Sequence, residues 1–168
     1  LKNIAVIATH HKTGTVWMRT VFRQIAKRLK VDFVPVEKLR DAQPSAVPVP
    51  TIVFAAHSDF RDCRWLRRHS ACRVFHVIRD PRDIVVSAMH YHRKADEGWL
   101  HKPQRQFDGL TYQDKINSLP DDSARYLFEM HNGAGRTIRV MSRWNYKRTT
   151  AFECRYETLI DDFDATKF

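Results

Sequence analysis

Five consecutive apolar residues, Ile4-Ala5-Val6-Ile7-Ala8, give way abruptly to a polar stretch, Thr9-His10-His11-Lys12-Thr13-Gly14-Thr15, and then to a pattern that repeats every three or four residues. No other feature limits the fold as much. An apolar run without polar alternation reads as a strand buried on both faces, and parallel sheets covered by helices supply that environment. Beyond the polar stretch, Trp17, Met18, Val21, Phe22, Ile25, Ala26 and Leu29 share one helical face, and Arg19, Arg23, Lys27 and Lys30 take the opposite one. The chain therefore opens as strand, polar loop and amphipathic helix.

The alternation continues. Thr51-Ile52-Val53-Phe54-Ala55-Ala56 reads as a second buried strand ending at His57, and Arg73 to Ile78 as a third that breaks at Arg79-Asp80-Pro81. Asp80 suits an N-cap and Pro81 the first helical position; Ile84, Val85, Ala88 and Met89 then fall on one helical face. Thr150 to Tyr156 reads as a fourth strand, and Tyr156-Glu157-Thr158-Leu159 leads into a last helix. Between these elements, residues 31–50 carry Pro35, Pro44, Pro48 and Pro50 and read as a loop with short elements. A short basic helix is expected from Asp62 to His69. Residues 95–120, polar and punctuated by Gly98, Pro103, Gly109 and Pro120, are expected to include a mobile loop. Asp121 or Asp122 should cap a helix from about Ser123 to His131, the Asn132-Gly133-Ala134-Gly135 run should weaken it, and a further helix is expected over Thr137 to Tyr146. Strands alternating with helices imply a three-layer α/β fold, with a central parallel sheet flanked by helices. At 168 residues the chain is read as a single domain spanning 1–168.

Several function classes can be set aside. No apolar run approaches the roughly 20 residues of a spanning helix, so stable membrane insertion is not expected. Leu1-Lys2-Asn3-Ile4 lacks the apolar core and cleavage site of a secretory signal. Cys63, Cys72 and Cys154 form no CxxC pair and no zinc spacing, so they read as reduced thiols in a cytoplasmic protein. The net charge of +10 favours a polyanionic partner. DNA, RNA, an anionic membrane or a phosphorylated nucleotide would each fit that charge, which cannot choose among them; the dispersed basic residues, without a helix-turn-helix or zinc pattern, weigh against a nucleic acid.

Ligands of parallel sheets sit beyond the carboxyl ends of the strands. Three polar motifs follow three expected strands there: Lys12 to Thr15, His57, and Arg79 to Ser87. In the first, a helix N-terminus offers amides and a positive dipole end to phosphate, Gly14 allows close backbone approach, Thr13 and Thr15 add hydroxyls and Lys12 adds a charge. The GxxxxGK[ST] pattern is absent, and with it the hydroxyl that holds Mg²⁺ in nucleoside triphosphatases. That weighs against the alternative reading, a nucleotide or small-molecule kinase on a related P-loop fold.

His11-Lys12-Thr13-Gly14-Thr15-Val16-Trp17 resembles the 5′-phosphosulfate loop of the sulfotransferases that use 3′-phosphoadenosine 5′-phosphosulfate (PAPS). Arg79-Asp80-Pro81-Arg82-Asp83-Ile84-Val85-Val86-Ser87 resembles that family's 3′-phosphate motif, and the two motifs stand in the family's order. His57 ends the intervening strand, as the catalytic histidine does in cytosolic sulfotransferases, and Tyr156-Glu157-Thr158-Leu159 is similar to a later Tyr-Glu-Asp-Leu segment. The resemblance implies a P-loop NTPase-like fold and transfer of a sulfuryl group from PAPS to a hydroxyl or amine, giving adenosine 3′,5′-bisphosphate (PAP), with no metal required. In that reading Lys12 and His57 are catalytic, as charge neutraliser and general base. Lys12, Thr13, Gly14, Thr15, Val16 and Trp17 hold the 5′ side, Arg79 and Ser87 bind the 3′-phosphate, and Tyr156 touches the nucleotide. Trp17 also lies on the apolar helix face, so core packing competes with adenine stacking. His10 and His11 would line the acceptor site, His76 is a weaker candidate, and His90 and His92 are expected on the exposed side of their helix.

Two departures stand out. Val16 occupies the place of a common second threonine, and the family's late Arg-Lys-Gly-type loop has no match before Phe168. The chain is therefore expected to lack a C-terminal segment that closes over the nucleotide. Residues 93–120 are expected to shape the pocket of a small-molecule or glycan acceptor. Nothing in the sequence sets an oligomeric state.

Overall fold

In the computed structural model, the described residues are 4–42, 50–59, 72–147 and 151–161. The elements run β1 (Ile4–Ala8), α1 (Thr15–Leu29), β2 (Asp32–Lys38), β3 (Thr51–His57), β4 (Cys72–Ile78), α2 (Pro81–His92), α3 (Tyr112–Asn117), α4 (Asp122–His131), α5 (Gly133–Ser142), β5 (Ala151–Arg155) and α6 (Tyr156–Asp161). Short 3-10 turns occur at Leu39–Asp41 and Arg105–Phe107. The basic helix expected from Asp62 to His69, together with Cys63, Pro44 and Pro48, lies outside the described residues. The chain divides into two compact units, Leu1–Arg79 with Val140–Phe168, and Asp80–Arg139.

The first unit is built on a five-stranded parallel sheet in the order β2-β3-β1-β4-β5. β1 sits at its centre, with Ala8 opposite Ala55 of β3 and His76 of β4. Alternation along the strands sorts side chains to two faces. Val6, Ala8, Val53, Ala55 and Val74 join Leu39 and Trp144 in one core cluster. Ile7, Ile52, Phe54, Ala56 and Val77 join Met18 and Ala26 of α1 and Leu159 of α6 in the other. Both faces are therefore apolar and covered, which is why β1 and β3 read as continuous apolar runs. Phe54 is fully buried, worth roughly 2–3 kcal/mol of hydrophobic transfer.

β2 lies in the stretch expected to be a loop with short elements, and it contains Pro35, which lacks the N–H of a ladder bond. Yet β2 has one neighbour, β3, and lies at the edge of the sheet, where a proline is tolerated. At the other side of the sheet, β5 and α6 fall where the pattern placed them.

The second unit is helical. α2 begins as expected: the Asp80 carboxylate accepts from Arg82 N at 2.8 Å and Pro81 occupies the first turn. Asp121 caps α4 by accepting from Ala124 N at 2.8 Å. The stretch expected to be a mobile loop is instead a packed one. Leu100, Phe107, Tyr112 and Ile116 are buried, Thr111 caps α3, and Gln113 Nε2 donates to the carbonyls of His92 and Ala95. Aromatic residues at irregular spacing build this cluster, with Tyr112 and Phe128 rings 5.0 Å apart. No period of 2 or 3.6 announces such packing. The Asn132 to Gly135 run does not merely weaken a helix; α5 starts at Gly133. A side chain at position 135 would collide with the carbonyl of Met130, so the close return of the chain requires glycine there.

His92 overturns one expectation. It is fully buried, with Nδ1 2.6 Å from Glu129 Oε1, while His90 is exposed. The other Glu129 oxygen accepts from Ala134 N at 3.1 Å, and Gly133 N donates to the Tyr112 hydroxyl at 3.0 Å. Burial, with the Glu129 carboxylate close by, holds the Tyr112 phenol well above its ordinary range.

Candidate functional site

Because the sheet is parallel throughout, β1, β3, β4 and β5 present their carboxyl ends on one edge of the first unit. Four of the sequence-derived candidates arrive there by register alone: the loop after Ala8, His57 at the end of β3, Arg79 after β4 and Tyr156 after β5.

The β1–α1 loop is shaped from within. Thr9 extends the strand ladder, donating from N to Ala55 O and accepting at O from Ser58 N. The carbonyl of His10 then gathers three bonds: from Thr13 N at 3.1 Å, from Thr13 Oγ1 at 2.9 Å and from Thr15 Oγ1 at 2.8 Å. Thr13 Oγ1 also accepts from His10 N at 2.9 Å. Both hydroxyls expected to reach a phosphate are thus turned inward in this structure, and Thr13 is fully buried. A hydroxyl has a single proton, so a bond to the His10 carbonyl uses its donor. The backbone supplies the anion-binding capacity instead. α1 begins at Thr15 with no side-chain cap and no acidic residue in its first turn, so no side chain of its own first turn offsets its positive dipole end.

Gly14 is required twice over. Its φ of 84° lies in the left-handed region, and a Cβ there would come within 2.6 Å of the Tyr156 ring. Lys12 also adopts a positive φ, 65°. Arg79 crosses to this loop, donating from Nη1 to Lys12 O at 2.9 Å, and its guanidinium lies 4.5 Å over the Tyr156 ring. Its Nε is buried without a hydrogen-bond partner among the described residues. A buried donor left unmet is costly, and an anion oxygen would meet it. Trp17 is half-buried, packed on the core and edge-on to Tyr156 at 6.3 Å. Val16 is exposed, 80% of its surface open.

His57 is half-exposed, with Nε2 3.6 Å from Glu37 Oε2 on β2 and its ring 6.0 Å from that of His11. His10, expected to line an acceptor site, is instead buried. Its Nε2 lies 2.8 Å from Nε2 of His76 on β4. Burial is the main reason that His10 is pushed down to about 3 and His76 to about 4; His76 and His57 further depress His10, and Asp59 opposes them. Sequence reasoning missed this pair, since residues separated by 66 positions meet only through strand register. Ser87 belongs to the second unit, two turns into α2 and partly buried.

Cys72 and Cys154 are buried free thiols, and burial raises the Cys154 thiol. Among the described residues no three His, Cys, Asp or Glu side chains cluster as metal ligands, and no helix is long and apolar enough to cross a membrane.

Comparison with known proteins places this geometry. The sequence model of the sulfotransferase domain matches residues 2–164. No curated protein sequence matches the chain significantly. Among solved structures, mouse sulfotransferase SULT7A1 complexed with PAP superimposes with a TM-score of 0.59 at 15% identity. The match covers 97% of this chain and 55% of that one, so the chain spans about half the length of that structure. At such identity the likeness establishes the shared fold.

Proposed function

The chain belongs to the sulfotransferase domain family, and from that membership we propose that it takes PAPS at the carboxyl edge of its sheet and passes the sulfuryl group to an acceptor hydroxyl or amine. The observation that carries this reading is the convergence at one strand edge of an uncapped, acid-free helix N-terminus and an arginine with an unmet buried donor.

The reaction needs little covalent help from the protein. The acceptor oxygen or nitrogen forms a bond to sulfur as the bond from sulfur to the bridging oxygen breaks. The electron pair goes to the bridging oxygen, which leaves on PAP. The acceptor's proton goes to a base. Positioning and charge stabilisation dominate such transfers. The amides of Gly14 to Trp17 and the Lys12 ammonium would take up charge on the leaving 5′-phosphate, while Thr13 holds the loop from inside. Arg79 would bind the 3′-phosphate, with Tyr156 and Trp17 against the nucleotide. His57 would accept the proton; a half-exposed imidazole at the end of β3 has the ring nitrogen such a step needs.

Calorimetric titration with PAP and, separately, ATP with Mg²⁺ tests the reading. PAP should bind and ATP should not compete; ATP binding without PAP binding would replace it with the kinase reading. His57→Ala should lower transfer by about 100-fold or more with PAP affinity unchanged; retained transfer would place the base elsewhere.

A further inference from the structure

The buried imidazole pair behind the loop has no part in that chemistry. We propose that His10 and His76 are positioning residues: the hydrogen bond between their Nε2 atoms locks the His10 backbone, and through it the loop that presents the α1 amides to a 5′-phosphate. The proposal rests on the nucleotide reading above.

The geometry leads from the pair to the loop in two steps. The His10 carbonyl is the point on which Thr13 N, Thr13 Oγ1 and Thr15 Oγ1 converge, and Thr15 is the first residue of α1. The His10 side chain is fixed by a residue of the neighbouring strand, His76, which lies opposite Ala8. Without the bond to His76 the side chain no longer anchors residue 10, its backbone is freer to move, and the acceptor shared by both threonines is less firmly placed. Their hydroxyls and the first turn of α1 then lose the present arrangement.

The bond also sets a protonation requirement. Two Nε2 atoms at 2.8 Å can share only one proton, so one ring donates, the other accepts, and the two neutral tautomers are opposite. A proton on both facing Nε2 atoms would place N–H against N–H and break the bond. Burial favours neutrality at both rings, and the nearby His57 adds to it at His10 while Asp59 opposes it. His76 packs at 4.6 Å on the Trp144 ring and at 6.4 Å from Tyr146, and it lies opposite Glu153 of β5, whose carboxylate accepts from Trp144 Nε1. A neutral clamp also adds no negative charge behind an anion site, as a histidine–carboxylate pair would.

The test uses the intact chain with PAP as probe. His76→Phe, which fills the space without a hydrogen bond, should weaken PAP binding about tenfold or more. His76→Gln, which restores a donor and acceptor, should stay within about threefold of the parent. A merely structural histidine would lower thermal stability in both variants without this split in affinity. Imidazole ¹⁵N spectra of the unaltered chain provide a second readout that needs neither nucleotide nor variant. They should show His10 and His76 neutral and in opposite tautomers at about pH 6. Like tautomers, a charged ring, or full PAP affinity in His76→Phe would overturn the clamp. If the parent chain does not bind PAP while the opposite tautomers are present, the nucleotide reading fails and the clamp stands as a purely structural bond.

Discussion

His10 in the first unit and His92 in the second are both buried, yet one meets an imidazole and the other a carboxylate. The helix N-termini beside them differ in the same way. The start of α5 is satisfied internally, with Glu129 accepting from Ala134 N and Tyr112 accepting from Gly133 N. The start of α1 has no side-chain cap and no acid in its first turn, and the residue that organises the loop before it is a neutral histidine. Since a carboxylate near a helix N-terminus uses the field that an external anion would use, the contrast separates a helix start that closes on itself from one that remains open to a ligand. The second unit uses a buried carboxylate to close a helix start, whereas the first turn of α1 carries neither an acid nor a side-chain cap.

The comparison can be broken most sharply at Glu129. Glu129→Ala removes the carboxylate that faces His92 Nδ1 and accepts from Ala134 N inside the second unit, and should cost about 3–5 kcal/mol in urea unfolding. Hydrogen exchange should locate the loss at the start of α5; equal loss along β1 and β4 would show that the two buried histidine centres are not separately supported. Next comes Gly14→Ala. The left-handed backbone alone should cost about 1–3 kcal/mol, and the collision with Tyr156 should also remove most PAP affinity in a titration. A variant that bound PAP normally would show that the open helix start is not the cradle.

A pH series sharpens the difference between the two centres. An unfolded histidine titrates near 6.5, whereas folding pushes His10 to about 3 and His76 to about 4. Below about 6.5 the unfolded chain therefore binds more protons than the folded one, so stability falls as pH falls. Between about pH 7 and pH 5.5 each of these histidines should remove about 1 kcal/mol. Paired urea titrations should show a flatter slope when both are replaced; an unchanged slope would remove the neutral-pair account. The smallest effect is Asp121→Ala, which deletes the α4 cap and should cost about 1 kcal/mol by thermal unfolding, leaving PAP binding as it was.

Much of the architecture could be read from local pattern. Ile4–Ala8 and residues 52–56 are apolar because both sheet faces are covered, and that continuous run is visible without coordinates. Asp80-Pro81 and Asp121 act as helix starts through bonds to residues two and three positions away, so a short window contains the whole interaction. β2 escaped because Pro35 is acceptable only at a sheet edge, and edge status is set by the order of strands. Thr13 and Thr15 were read as outward donors because residue type reveals a hydroxyl's capacity and not its direction. His92 was misplaced because its neighbours in α2 do not disclose that Glu129, 37 residues later, lies within hydrogen-bond reach.

By itself the amino-acid sequence determined the alternating strands and helices, the glycine-containing loop at the head of α1, the Arg79 motif and hence the family resemblance, since each rests on neighbours a few residues apart. Tertiary structure alone decided the sheet order, the Gly14–Tyr156–Arg79 contact, the inward turn of the loop hydroxyls and the partners of His10 and His92. Those outcomes depend on which distant strand or helix comes to lie alongside, and burial then dictates whether a side chain may be charged and what must bond to it.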